Sequence, residues 1–110
     1  MPAELRKTFH RDLADIERST TVLFALVAEG LSGATEAFLS GDHDAAVALA
    51  QQDVVVDRVY ADVEAVVERQ FSLQSPTASD LRFLLAMLRI LPELERSGDL
   101  TAHIASRAAR

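Results

Sequence analysis

Between Phe9 and Ala34, apolar and small residues recur in alternating steps of four and three: Phe9, Leu13, Ile16, Thr20, Leu23, Val27, Gly30 and Ala34. Only an α-helix gathers residues so spaced onto one face, because a turn closes in 3.6 residues. A second stripe, Phe24, Leu31 and Phe38, runs beside the first. Together they make an apolar face wider than a two-stranded coiled coil needs, so this helix must pack against two neighbours. The pattern predicts a helix from about Pro2 to Ser40, with Gly30 and Gly33 as points of close helix approach.

Two further helices follow. Ser40-Gly41-Asp42-His43-Asp44 reads as a turn, with Gly41 in a left-handed C-terminal position and Asp42 as the next N-cap. His43 there is a solvated residue. The second helix is expected over about His43–Leu73, with a seam of Leu49, Val56, Val59, Val63 and Val66 and Phe71 near its end. Its many valines are poor helix formers, so burial must hold it. Gln74 and Ser75 form a tight connection. Ser75 is the expected cap of a third helix, with Pro76 at its first position and Asp80 in or just past the first turn. Its apolar stripe is Leu81, Leu84, Leu88 and Leu91, and it runs to about Arg107, kinked or loosened at Pro92.

Each helix has about 30 residues or more, roughly 45 Å at 1.5 Å per residue. Short turns make sequential helices antiparallel neighbours. The expected fold is therefore all-α: an elongated antiparallel up-down-up three-helix bundle, one domain over residues 1–110. With 49% hydrophobic residues, no Trp and only four Gly, the composition agrees. The net charge of −6 argues against a nucleic-acid partner, since phosphate binding needs clustered Lys and Arg. With no cysteine there is no disulfide or thiolate metal site, which suits a reducing cytoplasm. No uninterrupted apolar run approaches the roughly 20 residues of a membrane span, so no membrane insertion is expected. The longest run near the N-terminus, Val22 to Ala28, follows acidic residues and Thr, unlike a signal peptide.

In the third helix the stripe Leu81, Leu84, Leu88, Leu91 continues to Glu95, a charge in a core register, with Asp99 one turn on. Asp53 and Asp57 repeat that i, i+4 spacing on the second helix. Such pairs stack on one face and repel by a few tenths of a kcal/mol unless a cation bridges them. Asp53 lies about 21 residues before the turn near residue 74 and Glu95 about 21 after it, so antiparallel helices bring them to one height. Four carboxylates, Asp53, Asp57, Glu95 and Asp99, then form an oxygen-rich site for a hard cation. A plain solvated acidic face is the alternative. His103 could add a nitrogen ligand but suits a surface position near the helix end. Arg82 and Arg96 are expected to partner carboxylates at the buried edge, and Tyr60 and Glu64 continue the stripe of Asp57 behind the site. No nucleophile–base set, phosphate-cradling glycine loop or Cys/His zinc spacing occurs, so no enzyme is expected.

Four segments resemble motifs of the PhoU family of phosphate-transport regulators. Pro76-Thr77-Ala78-Ser79-Asp80-Leu81-Arg82 resembles its PxAxDLR segment, and Leu94-Glu95-Arg96-Ser97-Gly98-Asp99 its LERxGD segment. Asp53-Val54-Val55-Val56-Asp57 falls where the family has its other E/DxxxD motif, and Phe9-His10 with Leu13 resembles the opening FHxxL. The match spans essentially the whole chain, in order and spacing. It implies a three-helix PhoU domain whose E/DxxxD motifs bind iron, zinc, manganese or magnesium. It also implies negative regulation of phosphate uptake, linking the Pst transporter, through its ATPase subunit, to the PhoR sensor histidine kinase. The usual member carries two such repeats, and this chain resembles the first; Pro92 departs from the pattern. The alternatives are a di-metal carboxylate enzyme or metal store, and a metal-free structural bundle. A ferritin-like site needs Glu-x-x-His, which occurs nowhere in the chain. Because the stripe Phe24, Leu31, Phe38 outruns what one bundle covers, a symmetric homodimer is expected.

Overall fold

The computed structural model describes residues 3–73 and 77–110. The first helix, α1 (Ala3–Ser40), is 38 residues long. It ends at Gly41, whose φ of +75° lies in the left-handed region that favours glycine. There the Gly41 and Asp42 N–H groups both donate to the Ala37 carbonyl, at 2.9 and 3.2 Å. Asp42 then caps α2 (His43–Gln51), its carboxylate accepting from the Ala45 N–H at 3.1 Å. This turn forms as the sequence predicts, and His43 is exposed.

The expected single helix over 43–73 is broken. Gln52 is a turn residue, its N–H donating to Leu49 O at 3.2 Å in a tightened, three-residue bond. The chain restarts as α3 (Asp53–Leu73). Two local preferences explain the break: Asp favours the start of a helix, and the β-branched run Val54-Val55-Val56 propagates an existing one poorly. The second rod is thus α2 followed by α3.

The last helix, α4 (Ala78–Ala108), has 31 residues. Its cap is Thr77, not Ser75, which together with Pro76 lies outside the described residues. Thr77 and Asp80 form a reciprocal capping box, with Asp80 N–H donating to Thr77 Oγ1 at 3.3 Å and Thr77 N–H to Asp80 Oδ2 at 3.4 Å. The helix runs unbroken through Pro92, which is exposed.

Three rods result, in a molecule of 57 × 20 × 17 Å. Asp12 meets Gln70 and Gly33 meets Leu49, so the second rod runs antiparallel to α1. Gly30 meets Thr101 and Gly98 meets Val56, so α4 runs parallel to α1 and antiparallel to α3. This is the expected up-down-up bundle. The core takes Ile16, Leu23 and Val27 from α1, Val56, Val63 and Val67 from α3, and Leu84, Met87, Leu91 and Leu94 from α4. The buried positions of α4 continue through Gly98, Thr101 and Ala105 in steps of four, three and four. That register corrects the predicted stripe. Leu81 and Leu88 are 38% and 41% exposed, and Glu95 flanks the core, half-buried, instead of occupying it. Leucines at 81, 84, 85, 88 and 91 permit several stripes; only the one through Leu94, Gly98, Thr101 and Ala105 stays apolar or small to the helix end.

By length and composition α1 is apolar enough to cross a membrane, although no uninterrupted run in it is. Glu29 and Glu36, with Ser, Thr and Gly between, break up its apolar stretches. One face of it is built into the core.

Candidate metal centre

The break at Gln52 makes Asp53 the first residue of α3, so its carboxylate projects from a helix start towards α4. Asp57 follows one turn later on the same face. Asp99 comes from α4. Carboxylate oxygens of Asp53, Asp57 and Asp99 lie within 4.8 Å of one another. Glu95, one turn before Asp99, adjoins this trio without joining it. Its carboxyl is held above the usual carboxylate range, first by burial, then by the charges of Asp99, Asp57 and Asp53. Burial is also the main cause that raises Asp53, followed by the charges of Asp57 and Asp99; His103 opposes them. Three of the four sequence-predicted residues therefore meet across the α3–α4 seam, with Glu95 beside them.

Close approach of the helices produces the depth of the site. Gly98 takes a core position one residue before Asp99. A Cβ there would lie 2.9 Å from Val56 Cγ1 and 3.9 Å from Asp53 Oδ1. Behind these residues is a cavity of about 20 Å³, lined by Asp53, Val56, Gly98 and Thr101 among others. That is room for one small occupant. Asp53 Oδ1 is buried with no hydrogen-bond partner. A buried, unpartnered carboxylate oxygen beside two further carboxylates is costly unless something positive meets it. The donors are hard oxygens, the set a hard cation takes. Sequence reasoning missed Gly98 as a wall of the site; its signal was a glycine at the helical spacing of the true core stripe.

Tyr60 stands beside the cluster. Its hydroxyl donates to Glu64 Oε2 at 2.6 Å. That bond, with burial and the charges of Glu64, Glu95 and Glu68, pushes the phenol up to about 12. His103 is exposed and stays outside the oxygen trio. Arg82 and Arg96 do not neutralise the cluster: both are exposed, and neither forms an ion pair among the described residues. The expected arginine partnership is not formed among the described residues, where both side chains lie exposed on the outward face of α4.

The fold and site define a class: an all-helical three-rod bundle that gathers carboxylates from two i, i+4 pairs on adjacent rods. Residues 20–108 match the family model described as "PhoU domain", and the chain belongs to that family. It is 34% identical over 101 residues to the phosphate-specific transport system accessory protein PhoU homolog of Streptococcus pneumoniae serotype 4, covering 92% of this chain and 47% of the relative. The homolog of Aquifex aeolicus is 31% identical over 98 residues, covering 89% and 44%. The PhoU protein of Serratia marcescens is 29% identical over 100 residues, covering 91% and 41%. The chain thus spans about half the length of the curated relatives it matches. No solved structure matches it.

Proposed function

We propose that this protein is a non-enzymatic regulator of phosphate uptake that binds a metal ion through Asp53, Asp57, Glu95 and Asp99. Family membership supports the phosphate-transport role, since the relatives are named accessory proteins of a phosphate-specific transport system. The observation that carries the metal is the buried, unpartnered Asp53 Oδ1 beside Asp57 and Asp99. The ion is divalent or trivalent: iron, zinc, manganese or magnesium. Its bound charge would allow the carboxylates to ionise together. The partners in this reading are the ATPase subunit of a Pst transporter and a PhoR-type histidine kinase, met in the cytoplasm by a negative regulator. Self-association of two chains belongs to the same reading.

One experiment tests regulation and site together. In a cell that relies on this protein alone, deletion should derepress phosphate-starvation genes under phosphate excess. The wild-type chain should restore repression, and the Glu95→Ala/Asp99→Ala variant should not. Calorimetry on the purified variant should show loss of divalent-ion binding. Repression that survives deletion sinks the regulatory reading; unchanged ion affinity in the variant sinks the site.

A further inference from the structure

One turn beyond Asp99 on α4 stands His103, four residues on and therefore on the same helix face. Side chains on a helix lean towards its N-terminus, over the residue four positions back. The imidazole of His103 can therefore reach back over Asp99. On α4 the small cavity behind Asp53 is bordered by Gly98, Thr101 and Ala102, and His103 is the next residue, at the exposed edge. A charge on its ring is felt at Asp53, across the seam on α3. The ring makes no hydrogen bond among the described residues, so none of them holds it elsewhere. The carboxylate cluster thus has a deep end and an open one. Asp53 Oδ1 is buried, whereas Asp57 and His103 are exposed.

We infer that His103 closes the outward side of the metal centre as its nitrogen ligand, and makes the site select a borderline transition ion such as zinc over magnesium. The inference rests on the metal site proposed above and names what sets its selectivity. Carboxylate oxygens alone suit magnesium, calcium or manganese, whereas imidazole suits zinc, iron, copper and nickel. Magnesium also dehydrates reluctantly and keeps several waters, so it gains little from one nitrogen on an open edge. Zinc mixes histidine nitrogen with carboxylate oxygen readily. Asp53, Asp57 and Asp99 bring the oxygens, with Glu95 beside them, and His103 brings the nitrogen. Charge favours a ring in that place. The acidic ligands already outweigh a divalent ion, and a neutral imidazole adds a donor without adding negative charge. With no cysteine in the chain, no thiolate competes for the ion. The other two histidines stand apart, His10 beside Ser79 and Asp80 at the far end of α4, and His43 at the start of α2.

Calorimetry on the full chain, treated with chelator and then titrated with zinc or magnesium, should show zinc binding the tighter. His103→Ala should weaken zinc at least about tenfold, since losing even an outer partner of a metal ligand costs about 10–100-fold. Magnesium affinity should stay unchanged. His103→Gln, which offers only an amide, should behave as His103→Ala does. Because the ring is exposed, both variants should keep the helical circular dichroism of the wild type. In nitrogen NMR of the imidazoles, added zinc should move the His103 resonances and leave those of His10 and His43 in place. Zinc affinity unchanged in both variants, with His103 unmoved, overturns the nitrogen ligand; if Glu95→Ala/Asp99→Ala still abolishes binding, the carboxylate site stands. Equal losses for zinc and magnesium in His103→Ala mark a structural effect and overturn the selectivity. A wild-type chain that binds neither ion overturns site and ligand together.

Discussion

Gly98 sets how closely α4 can approach the second rod, and its missing side chain is felt at the carboxylates. In an open helix, Gly→Ala gains up to about 1 kcal/mol. Here the added Cβ would lie 2.9 Å from Val56 Cγ1, a branched side chain with little freedom to turn away. Overpacking of this kind costs about 1–3 kcal/mol. Gly98→Ala should therefore destabilise the fold by a net of up to about 2 kcal/mol, read as a lower urea midpoint, and Gly30→Ala, where the neighbour is Thr101 Cγ2 at 3.3 Å, should do so less. The carboxylates give a second prediction. Asp53 and Glu95 are both raised in the folded protein, chiefly by burial. The folded state then holds protons more tightly than the unfolded chain, so stability is fullest below the unfolded carboxylate range, near pH 4, and is lost as pH rises through the folded values. The melting temperature of chelator-treated protein should rise as pH falls from neutrality towards that range. Saturating metal should flatten or reverse the trend, because binding requires ionised ligands. Asp53→Asn should flatten it without metal.

At the scale of elements, the first turn and the buried registers of α1 and of the second rod were legible, and the register of α4 was not. Gly41 and Asp42 announced the first turn by residue type alone, because a left-handed backbone and a side-chain acceptor each have few candidates. The start of α4 was harder: Ser75, Pro76, Thr77 and Asp80 offer overlapping cap signals, and the reciprocal box favours Thr77. Thr77→Ala should cost about 1 kcal/mol, read as a shift in the urea midpoint with an unchanged slope. The break at Gln52 was hidden because Leu49, Val56 and Val63 keep helical spacing across it. The core face of α4 was misassigned because leucines at 81, 84, 85, 88 and 91 allow more than one stripe, and only packing against α1 and α3 selects one. Even so, the sequence brought Asp53, Asp57 and Asp99 together with Glu95 beside them, since their meeting depends on rod direction and height more than on register. Gly98 and the outward-facing Arg82 and Arg96 depend on which side of the helix turns inward, and that is where the pattern misled.

For the whole molecule, a metal that binds only the folded bundle must stabilise it. At a free concentration of 100 times the dissociation constant the gain is about 2.7 kcal/mol. Unfolding midpoints should rise with added divalent ion in the wild-type chain and stay fixed in the Glu95→Ala/Asp99→Ala variant. The parallel placement of α1 and α4 has a consequence of another kind, in time. Thr20 of α1 reaches Met87 of α4 across 67 residues of sequence. At about 5–20 residues per second, the ribosome needs roughly 3–13 s to make that interval. Throughout it α1 is finished but its inner seam has only the second rod to lie against, and its outer seam has nothing from its own chain. A nascent chain that waits with two greasy stripes uncovered is a natural client for chaperones. Anything that slows synthesis of α4 should be felt first as aggregation, well before any defect in the finished fold.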